Sequence, residues 1–146
     1  MHSYSMYRFW RLLSPATWTA VWHGIPELLA AIKHFERLEY GAALQSFEGL
    51  LNRIPNPGAD YLAFHAYLLL LNGNGTSETD DAWKKVVASA EGDTALCARF
   101  AGAVARYFLS AAGSHDRLPR WREANALRPS RGLVSYIRLP EIESIP

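Results

Sequence analysis

The stretch ADYLAFHAYLLLL, residues 59–71, decides the fold class. Its apolar residues fall on every side of a helix, which predicts a helix that is buried on both sides. The breaker PNPG at residues 55–58 precedes this stretch, and the turn sequence NGNG at residues 72–75 follows it. Because a buried helix needs other helices around it, the chain is predicted to be all-α.

Helix-start signals recur at nearly constant spacing on both sides of this stretch. The starts predicted at Pro26, Ala59, Thr94 and Pro129 are separated by 33, 35 and 35 residues. Each interval holds two amphipathic helical stretches with a break between them, which is typical of stacked helical hairpins. The sequence therefore predicts a right-handed α-solenoid of about three hairpins over residues 26–129.

The first hairpin is predicted to begin after a helix break. Gly24 has the position of a C-cap, and Pro26 has that of a first helical residue. Its first helix is predicted to turn four apolar residues inward. They are Leu28, Leu29, Ile32 and Phe35.

Local signals also predict the helix starts of the later hairpins. Ser77 and Asp80 have the spacing of a weak capping box, and Asp93 is predicted to cap the third hairpin. Pro119 is tolerated only in a first turn, so the last return helix is predicted to start close to it.

Residues 1–25 are predicted to form an aromatic helical extension. They contain Phe9, Trp10, Trp18 and Trp22, and large aromatic side chains are typical anchors of protein interfaces. The extension could instead cap the first hairpin, or make a peripheral contact with a membrane through an amphipathic aromatic helix. Because basic residues and serines precede the first acidic residue, Glu27, the composition also resembles a mitochondrial targeting segment.

The C-terminal part of the chain is rich in arginine. Six arginines lie between residues 115 and 138, and Arg120, Arg122 and Arg131 are the candidates for a secondary contact with a partner. The alternative is a solvated end-cap of the solenoid. Residues 130–146 are predicted to form an extended tail, which docks on the last hairpin or on another molecule.

The helical hairpins resemble the tetratricopeptide repeat family over residues 26–129. The resemblance is carried by a small–aromatic–apolar–proline pattern that recurs along the chain. The second helix of the first hairpin shows it at Ala43, Phe47, Leu50 and Pro55, and Trp121, Ala124 and Pro129 repeat its later part. The first helix of the third hairpin adds small and bulky residues at Phe100, Ala103, Val104 and Tyr107. The resemblance implies paired helices that present a concave surface to a partner. The clamp that some members use for acidic peptide ends is not expected, because Leu28, Ile32 and Leu62 occupy the corresponding helices.

No motif in the sequence points to a reaction. The five histidines are scattered, Cys97 is the single cysteine, and a phosphate-binding glycine loop is absent. We therefore expect no catalytic residue, no metal and no cofactor. The sequence favours a non-catalytic interaction module, a scaffold or an accessory subunit of a larger complex, which could be mitochondrial or membrane-associated. The alternative is a helical-repeat protein that binds RNA or another anion; nucleic acid is the less favoured partner.

Overall fold

A computed structural model describes the backbone of residues 15–141 and the side chains of residues 25–141. This part of the chain contains six α-helices, a short 3-10 turn and no strand, so the all-α prediction is confirmed for it. The helices are α1 (Pro15–Glu36), α2 (Tyr40–Leu51), α3 (Ala59–Leu71), α4 (Thr76–Ala90), α5 (Leu96–Leu109) and α6 (Arg117–Leu127). The 3-10 turn spans Leu133–Tyr136 and is called the C-terminal turn below.

The chain divides into two compact units at residues 56 and 57. In the described part of the first unit, α1 and α2 form one hairpin. The second unit contains α3 to α6 and the C-terminal turn. The division falls at the predicted breaker PNPG, where two prolines prevent continuous helix.

The predicted helix break before Pro26 is wrong. Residues on both sides of Gly24 and Pro26 belong to one continuous helix, α1. A proline inside a helix removes one backbone hydrogen bond, and the exposed position of Pro26 lets water serve the carbonyl group that loses its partner. The predicted period also changes, because the first helices of the second unit start at Ala59 and Leu96, 37 residues apart.

The hairpin of the first unit is built around small and bulky side chains in alternation. Ala31 of α1 is fully buried, as are Ala43 and Phe47 of α2, and Leu50 is nearly so. Leu44 is buried as well, so four of the six residues that the sequence predicts to face inward here are buried, whereas Leu51 and Ile54 are half-buried. An ion pair between Glu27 and Arg53 adds a link between α1 and the chain that follows α2.

The inner face predicted for α1 is wrong in one position. Leu29 is 62% exposed, whereas Ala31, which was not predicted to face inward, is buried. The three other predicted residues, Leu28, Ile32 and Phe35, are half-buried. The face of α1 that packs on α2 is therefore centred on a small residue, and the large Leu29 side chain is left outside.

Helix α3 has the bounds that the sequence predicts, and its burial on both sides is confirmed. It packs against α4, against α5 and against the C-terminal turn. Phe64 and Leu68 are fully buried in this arrangement. The predicted burial is thus supplied within the second unit by the next hairpin and by the C-terminal turn.

Helix α5 contacts α3, α4 and α6. On the α4 side, the ring of Trp83 stacks on Phe108 with centroids 4.9 Å apart and an interplanar angle of 14°. A methyl group added at Gly102 would lie 3.1 Å from Cβ of Ala90, so the glycine permits a close approach of the two helices. The second unit therefore contains two helical hairpins, α3 with α4 and α5 with α6, which pack against each other.

The helix caps differ from the predicted ones. Gly75, not Ser77, precedes α4, and no side chain forms a capping hydrogen bond there. The carboxylate of Asp93 accepts a hydrogen bond from the amide of Ala95, and α5 begins one residue later. Pro119 is the third residue of α6, as its placement in a first turn predicts.

Replacing Pro26 tests the continuity of α1. We expect Pro26→Ala to stabilise the protein by about 1–3 kcal/mol, because it restores an interior hydrogen bond. Pro119→Ala is the matched control, because a first-turn residue donates no helical hydrogen bond, and its effect should stay below about 1 kcal/mol. Urea unfolding of both variants measures this; a Pro26→Ala variant that is no more stable than the wild type would contradict the continuous helix.

Candidate protein-interaction surfaces

Helix α1 is much longer than the helix that packs on it. At 1.5 Å per residue, the 22 residues of α1 span about 33 Å and the 12 residues of α2 about 18 Å. Since α2 follows α1 after a short connection, it can cover only the C-terminal part of α1. About 15 Å of the N-terminal part therefore extends past the end of α2.

An exposed apolar groove runs along the described part of α1. Its volume is about 510 Å³, and it is lined by Pro26, Leu29, Ala30, Ile32, Lys33 and Glu36. Leu29 is 62% exposed in this groove, and Lys33 and Glu36 border it with charges of opposite sign. An apolar centre with a charged rim is the usual composition of a protein-binding patch.

Two of the predicted aromatic anchors belong to the same helix. Trp18 and Trp22 lie within α1, although their side chains fall outside the described residues. Counted along α1, Trp18, Trp22, Ile25, Leu29 and Ile32 are spaced alternately by four and three residues. This spacing places them along one seam of a helix, as in helices that pair with another helix. Phe9 and Trp10 lie outside the described residues.

The arginines of the C-terminal part of the chain divide into two groups according to their contacts. Nη1 of Arg120 donates to the backbone oxygen of Arg106 at 3.1 Å, and Nη1 of Arg117 donates to that of Ser110 at 2.6 Å. Both oxygens lie at the C-terminal end of α5, where helical carbonyl groups have no partner within the helix. The guanidinium of Arg117 also lies 4.7 Å from the centre of the Tyr107 ring. Arg117 and Arg120 therefore stabilise the end of α5.

Arg122 and Arg131, the other two candidate arginines, are exposed. So are Arg128 and Arg138, which lie in the same arginine-rich part of the sequence. These four side chains are open to a partner, whereas Arg120 is partly committed to the fold. The sequence could not separate the two groups, because both consist of arginines that are closely spaced in the same part of the chain. The difference lies in their tertiary contacts with the end of α5.

A cleft that sequence reasoning missed lies between α4, α5 and α6. Its volume is about 450 Å³. Arg99, Gly102 and Arg106 line it from α5, and Glu123 of α6 lies 3.7 Å from the Arg106 guanidinium. The i, i+3, i+7 spacing of these three residues could have indicated from the sequence that they share one face of α5. Because the cleft also includes Glu91 and Asp93, its charges are mixed and do not define a ligand.

Three titratable groups with raised pKa values lie near the starts of α3 and α5. Burial raises the pKa of Asp60, and hydrogen bonds from backbone amides, including that of Tyr61, partly offset this effect. Burial and the neighbouring Asp60 carboxylate raise the pKa of Tyr61 and of Cys97. A raised pKa keeps the Cys97 thiol protonated at neutral pH, unlike the thiolate of a nucleophilic cysteine.

Two further kinds of site were sought in the described residues. Between residues 25 and 141, where the side chains are described, no three His, Cys, Asp or Glu side chains are placed to share a metal ion. None of the helices in that range combines the length and the hydropathy that crossing a bilayer requires.

Comparison with protein-family models, with curated proteins and with solved structures found no match. The resemblance to tetratricopeptide repeats therefore rests on the residues quoted from the sequence.

The structural role of Arg120 can be measured by its effect on stability. We expect Arg120→Ala to lower the free energy of unfolding by about 1 kcal/mol, because the oxygen of Arg106 loses its hydrogen-bond donor. Arg122→Ala, which changes an exposed residue two positions further along the same helix, should change the free energy of unfolding by less than about 0.5 kcal/mol. Denaturant unfolding compares the two, and equal effects would contradict the division of the arginines.

Asp60→Asn tests the buried carboxyl group by its pH dependence. Since the pKa of Asp60 is raised in the folded chain, the ionised group destabilises the fold at neutral pH, and this loss is relieved as the pH falls through that pKa. Asparagine keeps an oxygen that can accept from the amide of Tyr61. The variant should therefore be more stable than the wild type at pH 7 and lose that advantage near pH 4.

Unfolding curves at both pH values provide the measurement, with the exposed Asp81→Asn as a control for the change in net charge. An Asp60→Asn variant that is less stable at pH 7 would show that the ionised carboxylate is favourable in the fold.

Proposed function

We propose that this protein is a non-catalytic protein–protein interaction module, which acts as a scaffold or accessory subunit of a larger complex. The observation that supports this proposal most strongly is the exposed apolar groove around Leu29 on α1. The groove lies on the helix that also carries Trp18 and Trp22. Stacked hairpins in the second unit support a right-handed α-solenoid of about three hairpins, in which the first unit provides one of them.

The partner that this groove fits is another protein with an amphipathic helix. Along α1 the seam from Trp18 to Ile32 covers 15 positions, or about 21 Å of helix. A helix laid along this seam would bury the exposed Leu29 and could form ion pairs with Lys33 and Glu36 at its rim. Large apolar anchors at the centre of an interface commonly carry most of the binding energy.

Binding of RNA or another anion is the second candidate function. The four exposed arginines from Arg122 to Arg138 favour it, since arginine makes bidentate contacts with phosphate. Arg117 and Arg120 form hydrogen bonds with the end of α5, so their positive charges are less available to an anionic partner. A peripheral membrane contact and a mitochondrial location stay predictions from the composition of the N-terminal residues.

Photo-crosslinking at Leu29 tests the interaction surface in cells. A benzoylphenylalanine introduced in place of Leu29 should crosslink to a defined partner protein, which mass spectrometry identifies. The same group in place of Leu96, an exposed leucine of α5 in the second unit, is the matched control and should not crosslink to that protein. Leu29→Asp should then reduce recovery of the partner at least about 10-fold, because it places a charge in an apolar contact.

Two results would count against this surface. One is equal recovery of the partner with Leu29→Asp and with the control Leu96→Asp. The other is an affinity for RNA that falls steeply with salt and disappears when Arg122 and Arg131 are replaced by glutamate, which would favour the second candidate function.

A further inference from the structure

The C-terminal segment, residues 133–140, lies against the first helices of both hairpins in the second unit. Its turn contacts α3 and, to a lesser extent, α5. The sequence predicts docking on the last hairpin or on another molecule, and the structure shows docking on both hairpins of this unit. The segment has no regular structure beyond the four-residue C-terminal turn.

Two aliphatic side chains anchor the segment. Val134 is 0% exposed and Ile137 is 1% exposed. They are three residues apart, and a 3-10 turn places residues at this spacing on the same side. Between them, the ring of Tyr136 meets Phe64 of α3 edge-on, with centroids 6.3 Å apart. The surface of the second unit therefore accepts a short apolar motif with its first and fourth residues inserted.

A third contact recognises the backbone of the segment. Nε1 of Trp121 in α6 donates a hydrogen bond of 2.9 Å to the backbone oxygen of Pro140. A side-chain donor that binds a backbone carbonyl does not depend on the side chain of the residue it binds. The oxygen lies three residues after Ile137, so the three contacts follow one another at regular steps along the segment.

The segment is joined to α6 by a short linker with exposed residues. In residues 128–132, Pro129 is buried and the other four residues, Arg128, Ser130, Arg131 and Gly132, are exposed. Gly132 has φ 86° and ψ 179°, a conformation that is essentially restricted to glycine. The backbone hydrogen bonds of the turn, from Ser135 to Gly132 and from Ile137 to Val134, are local. The segment is thus held by side-chain contacts and one indole bond, in the manner of a bound peptide.

We propose that the surface of α3, α5 and Trp121 beneath this segment is a peptide-binding surface, and that the segment is its intramolecular occupant. Its ligand is a peptide of another protein that forms the same short turn, with aliphatic residues at two positions three apart and a free backbone carbonyl three residues later. A tethered segment competes at an effective concentration of the order of millimolar, so this ligand binds only the fraction of molecules in which the segment is released. The contacts belong to the second unit alone, so this proposal is independent of the groove on α1.

Hydrogen exchange of the wild-type full chain tests whether the segment is released without unfolding. The amides of Ser135 and Ile137 are hydrogen-bonded only while the turn is formed. We expect them to exchange at least about 100-fold faster than the most protected amides of α3, through a local opening. Equal protection of the turn and of α3 would show that the segment leaves only on global unfolding, and would overturn the proposal.

A labelled synthetic peptide with the sequence of residues 130–141, SRGLVSYIRLPE, tests the surface directly by fluorescence polarisation. The full-chain variant Ile137→Asp should bind this probe at least about 10-fold more tightly than the wild type, because its own segment no longer docks. A probe carrying the same Ile137→Asp change should not bind. Adding Trp121→Phe to the protein variant should weaken binding of the unchanged probe by about 3-fold or more.

A folded Ile137→Asp protein that binds both probes equally, or neither, would overturn the proposal. If this variant does not fold, Val134→Ala provides the milder release of the segment. It should bind the unchanged probe more tightly than the wild type does, and a folded Val134→Ala protein with unchanged affinity would count against the proposal.

Discussion

The second unit depends on the burial of α3, a helix that has no polar face. A helix of this kind is stable only when other elements cover it on more than one side. In the structure α4 covers one side as the partner in the hairpin, α5 covers another, and the C-terminal turn covers a third. Two of these three elements, α4 and α5, are helices of the hairpins, and the third is the short turn at residues 133–136.

The elements that could be predicted from the sequence are those with strong signals on both sides. Breakers at residues 55–58 and 72–75 set the bounds of α3, and the 3.6-residue period of Ala43, Phe47 and Leu50 identified the buried face of α2. Pro26 could not be placed in the same way, because a proline at a first helical position and a proline inside a helix leave the same pattern in one sequence. The structure distinguishes them through the helix that continues on both sides.

The candidate site was predictable in its residue types but not in its geometry. The sequence placed Trp18 and Trp22 in a separate helical extension before Pro26, whereas in the structure they belong to α1. It also assigned Leu29 to the core, because periodicity alone does not say which of two adjacent apolar positions faces the partner helix. Ala31 takes the buried position instead. Residues two positions apart lie about 200° apart around a helix, so the burial of Ala31 leaves Leu29 on the opposite side of α1. Contacts such as Arg120 with the end of α5 depend on the tertiary structure and have no local signal.

The proposed interaction module rests on the exposed apolar groove of α1, the longest helix in the described part of the chain. The most direct measurement is hydrogen exchange on the complex purified under native conditions from its own cells, compared with the isolated chain. An interaction module of this kind should be recovered with another protein in fixed stoichiometry, with exchange in residues 25–36 slowed in the complex. Recovery of the chain alone, or of a complex in which exchange across these residues is unchanged, would contradict it.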